Sequence, residues 1–508
     1  MMGVHQPQVE LFSYKVNLDK RVRADHPLRR VAAEIDFTFI RAGVATSYGH
    51  NGHVSMDPAV LLKMMFLLFF DDVASERELM KIIPERLDYL WFLGYGLDDQ
   101  IPDHSVLSKA RARWGKEAFE KFFTRTITQC VQAGLVDGSK LHVDSSLIDA
   151  NASRDSVLRS SPELIAALKQ AYQAQESKLE DSATPGCYEM INDKLMSTTD
   201  PDASITRKGN EPARPRYHHH RAVDDAHGVI TAVETTPGSI AENKKLITLI
   251  NQHEVNTQTK VETAVADRKY GTAENYIACQ GRQIRAYIDT FVSHRKHEKL
   301  GIIPDSQFKY QAHNDTYLCP AGKELKARRL NVTRRTMEYY VPKRACLQCE
   351  LRAQCTRSKT GRTLQRHEQQ EILDQAKTRA HSSRARRDLK RRQILIEGSF
   401  ADAANNHGFK RSRWRRLWRQ EIQDWVIAGI QNIRTFLKAT KKRGGAAATA
   451  AVLVAFPVVP VVRAPFCRGE RLSASNDGKE KLQSTWRAIG SRSLIRHFWR
   501  SLKLGQAF

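Results

Sequence analysis

Apolar positions in the first part of the chain recur at three and four residues or run unbroken, and both patterns predict helix. Residues 59–70 (AVLLKMMFLLFF) are apolar on nearly every side of a helix and follow Asp57-Pro58, a capping side chain with proline in the first turn. Such a helix belongs at the buried centre of its domain. Residues 75–79 (SEREL) set Ser75 and Glu78 at capping-box spacing ahead of a short helix that Pro84 closes. After a turn-rich stretch, residues 105–115 (SVLSKARARWG) predict another short helix, with Lys109, Arg111 and Arg113 on it. Residues 1–135 are therefore expected to form an all-helical, helix-turn-helix-like domain. A helical packing domain with a solvated basic face fits the same pattern.

The period then changes to two. Residues 139–146 (SKLHVDSS) read as a strand ending in Asp144, and residues 161–181 as a helix followed by a long irregular excursion, about 150–215 in all. Residues 217–225 and 228–236 form a hairpin pattern, and 239–253 a helix with Ser239 and Glu242 at capping-box spacing. Residues 261–267 (VETAVAD) are a strand ending in Asp267, 272–281 a helix stopped by glycine, and 282–289 a strand. A basic, cysteine-bearing insert of about 290–382 precedes a last helical stretch that includes Glu397. Strand with Asp, hairpin, helix, strand with Asp, helix, strand, helix with Glu is an α/β order with a mixed sheet at 136–440.

Charge narrows the partner. The 508 residues carry a formal net charge of +25. That excess favours nucleic acid first and an anionic membrane surface second. The N-terminus lacks the basic start and apolar core of a signal peptide, and Pro457 and Pro460 break the one long apolar run (446–462), so no membrane span and a cytoplasmic location are expected. The tail 441–508 is expected to be poorly ordered and has no assigned role. Of the eight cysteines, Cys319, Cys346, Cys349 and Cys355 cluster, with a C-x₂-C pair among them. Four thiolates suit a tetrahedral structural Zn²⁺ site, although the first half lacks a second cysteine at knuckle spacing.

Asp144 and Asp267 each follow an apolar strand segment, where neighbouring parallel strands bring side chains to one edge. Glu397 borders the helical stripe of Leu389, Ile396, Phe400 and Ala403. Three converging carboxylates need cations, and two Mg²⁺ or Mn²⁺ ions about 3.5–4 Å apart would clamp both oxygens of an in-line phosphoryl displacement. A strand-end aspartate on its own is more often a cap or turn former, and Asp149, Asp224 and Asp225 are rivals by spacing. Beyond Glu397 lie Lys410, Arg411, Arg413, Trp414, Arg415 and Arg416, then an apolar stripe of Trp418, Ile422, Trp425, Gly429, Ile433 and Phe436. The stripe predicts a packed helix, with Trp414 and the basic run one turn earlier on it. The arginines suit phosphate contacts and Trp414 a stacking or cation–π contact. The three histidines of YHHH alternate faces on a strand, which disfavours a metal site there, while His220 or Arg221 is placed to touch DNA.

The blocks HVDSSLIDANAS, HHHRAVDDAHGVI…TTPGSIAENK, AVADRKYG and IEGSFADAANNHGFKRSRWRRL together resemble bacterial insertion-sequence transposases of the DDE type, in particular the group with a cysteine-rich insert, over about residues 10–440. The resemblance implies a ribonuclease-H-like core preceded by a helical domain that binds the element's ends. It implies Asp144, Asp267 and Glu397 as the catalytic, metal-holding acids. It also implies double-stranded DNA as partner, a homodimer on DNA, and cleavage at element ends followed by strand transfer. Relatives often carry a tyrosine seven residues before the glutamate, an arginine four before and a lysine seven after. Here these are Lys390, Gln393 and Ala404. Arg392, Lys410 and Arg411 lie on the same segment and are the substitutes for the missing DNA contact. With Lys109, Arg111, Arg113, Arg413, Trp414, Arg415 and Arg416 they form the expected DNA surface. A DNA-binding protein without turnover, and a nuclease that cuts without joining, are the alternatives.

Overall fold

In the computed structural model, residue 2 and residues 16–49, 55–179, 195–288 and 301–443 are described. The chain divides into two units, Met1–Lys442 and Arg443–Phe508. The apolar run 446–462 and the tail beyond Arg443 lie outside the described residues, as do parts of both expected excursions (180–194 and 289–300). No helix among the described residues is long and apolar enough to cross a membrane.

The helical start follows the pattern. Asp57 caps α1 (Pro58–Phe70) by accepting from the Ala59 amide, and eleven of its residues are buried. Ser75 caps Glu76–Ile82 through the Glu78 amide, and Pro84 falls in the 3₁₀ turn that ends it. A further helix, Leu87–Leu93, stands between this one and α2 (Ser105–Trp114); α3 (Glu117–Gln132) follows.

The sheet is mixed. Strands β1 (Lys140–Asp149), β2 (Arg214–Asp224), β3 (Ile230–Pro237), β4 (Thr263–Ala266) and β5 (Arg285–Ile288) lie in the order β3-β2-β1-β4-β5, and a short strand, Ser204–Thr206, pairs with the start of β2. The first three are antiparallel and the last two run parallel to β1. This is the mixed sheet that the strand pattern predicts. Helix α4 (Leu246–Thr257) packs over β3 and β2, and α5 (Ala273–Gly281) over β5, sharing one core with the sheet. The insert is a second sheet of five antiparallel strands, β6 (Lys309–Gln311), β7 (Thr316–Leu318), β8 (Glu324–Asn331), β9 (Thr336–Tyr340) and β10 (Thr363–His367), around Phe308, Leu325, Tyr339, Val341 and Leu364.

After the insert come α6 (Ser383–Arg392), a π turn (Gln393–Glu397), α7 (Gly398–Asn406) and α8 (Leu417–Arg443). Two expectations need correction here. Residues 411–416 are not helix; the basic run is an irregular segment tied to β1, where Ser412 N donates to the Asp149 carbonyl at 2.8 Å. And α8 is buried all round from Ile422 to Asn432 rather than along one stripe. The physical reason is a partner on both sides. Its apolar residues share one core with α1, α2 and α3, while its polar residues bond to the sheet. Asn432 bonds both the amide and the carbonyl of Ile230, each at 2.8 Å, and Thr235 Oγ1 donates to Asp424 at 2.5 Å.

Candidate active site

β1 runs between antiparallel β2 and parallel β4, and the last registered pair of the parallel ladder is Val143 with Ala266. Asp144 and Asp267 each follow that pair by one residue. β4 ends there, so Asp267 opens the 3₁₀ turn Arg268–Tyr270. Asp144 is not at a strand end as expected. β1 continues to Asp149 because β2 is long enough to pair it as far as Arg216. The adjacency of the two acids is nonetheless the one that parallel register predicts.

One guanidinium faces both. Arg392 Nη1 donates to Asp144 Oδ2 at 2.8 Å, and Nη2 stands 4.0 Å from Asp267 Oδ1. Arg392 is the last residue of α6, which packs on β4 and β5 through Ala385 and Leu389 against Val265 and Tyr287. Burial raises the Asp144 pKa above the usual carboxylate value, against the pull of Arg392 and the Ser145 amide. Nearby Glu242 pushes it the same way as burial.

Glu242 was assigned to a helix cap by spacing, and its place is different. It accepts from Ser145 Oγ at 2.7 Å and pairs with Lys269 Nζ at 2.7 Å, so a third carboxylate is buried beside Asp144. His218 links the same group, 3.0 Å from Ser145 Oγ and 2.9 Å from the Ile240 carbonyl. In the sequence Glu242 lies in the TTPGSIAENK block, where cap spacing already gave it a role.

Glu397 ends the π turn, which packs on β1 with Ile396 buried and Glu397 itself exposed. A π turn bonds residues five apart, so Arg392 and Glu397 stand one wide turn from each other. The structure thus joins Asp144 and Asp267 and leaves Glu397 on the open side. Among the described residues no group of three or more His, Cys, Asp or Glu is set to hold a metal ion. The donors fit a hard divalent cation in chemistry, all being carboxylate oxygens. The protein's own cation, Arg392, already occupies the space between two of them.

The rival acids are engaged elsewhere. Asp149 pairs with Arg216 at 2.6 Å. Asp224 accepts from the Gly138 and Ala226 amides, and Asp225 pairs with His142 at 2.7 Å and Arg391 at 2.5 Å.

The expected DNA surface separates into two sets. Lys109, Arg113, Lys410, Arg411 and Arg415 are exposed. Arg111 is not a surface cation: it is buried, paired with Glu76, and stacked 3.9 Å over the Trp414 ring, which also meets Phe69 edge-on. Trp414 therefore makes its cation–π contact within the protein. Arg413 pairs with Asp72, and Arg416 is buried against Asp200 and Asp202. Arg392 belongs to the acids. Of the histidine run, His219 and His220 are fully buried, as is Arg221, so neither His220 nor Arg221 reaches DNA. His219 stands 2.9 Å from Asp424, and burial pulls its pKa down to about 4. Cys319, Cys346, Cys349 and Cys355 are free thiols lining one cavity, but not at metal-holding geometry.

The family model described as a transposase domain (DUF772) matches residues 16–113, and the model described as a transposase DDE domain matches residues 318–436. The first segment contains α1 and most of α2; the second contains Glu397, Arg392 and α8 as far as residue 436. No curated protein matches the chain. Among solved structures, a Mos1 transposase paired-end complex with the left transposon end matches at 10% identity and TM-score 0.15, over 47% of this chain and 60% of that one. The Mos1 strand transfer complex matches at 10% identity and TM-score 0.15, over 49% and 64%. The chain thus spans about 60% of the length of the first of these structures. A transposase-domain model thus matches the helical region before the sheet, and a transposase DDE-domain model matches the insert and the helices after it.

Proposed function

We propose that this chain is a DDE-type transposase that cleaves DNA strands at the ends of its element and joins them to target DNA, with Asp144, Asp267 and Glu397 as the acids that do the chemistry. The observation that carries the reading is the pairing of Asp144 and Asp267 on adjacent parallel strands around a shared guanidinium. Such a pair is costly without a cation, and the cost is accepted where charge must be handled. Asp144 and Asp267 would hold a divalent ion, with Glu397 as the third acid from the π turn that packs on β1. A bound ion there supplies Lewis acidity for activating the attacking hydroxyl and stabilising the leaving oxygen. The protein's part is to position. Arg392 bridges the two aspartates in the absence of DNA. Lys269 and Ser145 hold Glu242 turned toward themselves. The exposed Lys410, Arg411 and Arg415 lie beyond the π turn, where they bring in phosphates and set the register of the duplex. Lys109 and Arg113 on α2 offer a second basic contact, for the element's ends.

A DNA-binding protein without turnover is the second reading, favoured by Ala404 at the position of the relatives' lysine and by the exposed setting of Glu397. Full-length protein incubated with duplexes taken from the DNA flanking its coding sequence separates the two. Mg²⁺- or Mn²⁺-dependent nicks and joined product are expected, and Asp267→Asn should abolish both while leaving the gel shift intact. A shift with no product under any divalent cation would establish the second reading, and product that survives Asp267→Asn would remove the acids from their role.

A further inference from the structure

The insert sheet carries a feature that its own core does not use. Strands β8 and β9 pair from Lys326 with Tyr340 to Asn331 with Thr336, and the ladder slips between Ala327 and Arg329. The apolar core of this sheet takes Leu325 from β8 and stops there. From Lys326 to Leu330 every residue of β8 is exposed, so side chains on both faces of this strand end reach solvent, while β9 beside it is paired by β10 and packs Met337 and Tyr339 on the insert core. A bulge increases local twist and turns a strand end away from its sheet, which fits the slip at Arg328.

Two kinds of side chain crowd the end of this ribbon. Leu330 is 56% exposed and Val332 is 76% exposed, among the most exposed large apolar residues described. Around them stand Lys326, Arg328, Arg329, Arg334 and Arg335. Arg335 pairs with Glu368, Arg329 lies opposite Glu338, and Arg328 stacks 5.0 Å from the Tyr340 ring. Glu338 is already bonded by Tyr340 and Gln365. The positive charge at the tip therefore exceeds what its acids balance. A partner protein that buried Leu330 and Val332 in an apolar groove would have to desolvate these cations as well. A polyanion with apolar faces between its charges satisfies both sets at once. Proteins that read DNA with β-sheets place strands in the grooves of the duplex, and aliphatic wedges flanked by arginines insert between base steps.

We infer that the β8–β9 ribbon is a DNA-contacting arm: its arginines and Lys326 hold phosphates on both sides of a groove while Leu330 and Val332 press against a base step. The inference takes DNA as partner from the function proposed above but does not depend on catalysis. Its occupant is duplex DNA rather than a second copy of the chain.

The test uses full-length protein and a mixed-sequence duplex with 2-aminopurine at successive positions, over a range of salt concentrations. Lys326→Gln, Arg328→Gln, Arg329→Gln and Arg334→Gln together should flatten the dependence of log affinity on log salt by about 3.6 units, at about 0.9 for each phosphate no longer neutralised. Leu330→Ser with Val332→Ser should leave that slope unchanged, remove a rise in 2-aminopurine fluorescence seen with the wild type, and weaken binding several-fold. All these positions are exposed, and unchanged melting temperatures confirm that the variants fold. If both variants bind and unstack DNA as the wild type does, the arm does not touch DNA. If instead the Leu330/Val332 variant loses an oligomer seen by light scattering with DNA binding unchanged, the ribbon joins copies of the chain and the inference fails. Loss of joining in Asp267→Asn is read separately, so failure here leaves the proposed chemistry standing, and failure of the chemistry leaves this slope test valid.

Discussion

Replacing Arg392 by methionine keeps most of the aliphatic volume and removes the charge shared by Asp144 and Asp267. Arg392 is 12% exposed and Asp144 21% exposed, with 2.8 Å between their charged atoms. Charge centres about 4 Å apart interact by roughly 4 kcal/mol at an effective dielectric of about 20, which is a ceiling. Removing one partner of a fully buried pair costs about 3–5 kcal/mol, and the residual exposure here brings the expected loss to about 2–3 kcal/mol. Asp267 is 43% exposed and 4.0 Å away, so that interaction adds little. Unfolding entropy of about 2.1 cal/mol/K per residue, taken over a unit of this size, converts the loss to a fall of about 2–4 °C in melting temperature.

The deficit should depend on pH and on metal. Asp144 has a folded pKa raised by burial. Between the unfolded and folded values the native state binds more protons than the unfolded chain, so stability from this group is full below the unfolded pKa and is lost as pH rises through the folded one. Without Arg392 that window extends upward, so the variant's deficit in EDTA should be small near pH 4.5 and widen toward pH 8. Divalent cation should then stabilise the variant more than the wild type, because it no longer competes with the guanidinium; saturation at a hundredfold over Kd is worth about 2.7 kcal/mol. Scanning calorimetry in EDTA and in Mg²⁺ or Mn²⁺ at both pH values reads all of this. Equal deficits at both pH values, with equal metal increments in the two proteins, would show that Arg392 only fills space.

Gly429 sits inside α8 where an added Cβ would lie 2.7 Å from Phe122 Cε1. Gly429→Ala gains about 1 kcal/mol in helix propensity and loses about 1–3 kcal/mol to overpacking, so a net loss is expected in urea unfolding. Phe122→Leu in the same chain should recover part of it, and simple additivity of the two changes would count against the close approach. Asp200 is buried, accepts from Tyr217 Oη at 2.6 Å, and has its pKa pushed up to about 7 by burial. Its folded pKa lies above the unfolded value of about 4, so its contribution is present below about pH 4 and lost as pH climbs to 7. Asp200→Asn should flatten the stability profile across that window and be at least as stable as the wild type at pH 8; an equal loss at pH 5 and pH 8 would contradict the assigned protonation.

Local pattern carried a definite part of this structure. Capping side chains at Asp57 and Ser75, the unbroken apolar run of α1, and strand segments placed before Asp144 and Asp267 are short-range properties, set by backbone sterics and by which neighbours can bond an amide. Parallel adjacency of the two acids also follows from strand order. What only the folded chain decided depends on a second partner. Charge at a sequence position does not say whether it faces water, so Arg111 and Arg113, two residues apart, ended on opposite sides of the boundary, one under Trp414 and one outside. Periodicity reports one packed face, and it cannot announce that α8 would be covered by helices on one side and by sheet on the other. Glu242 reached Asp144, and Arg392 came between two aspartates more than a hundred residues away, through register and packing across distant segments. Those are long-range interactions whose energy exists only once the sheet has closed, which is why no local rule contains them.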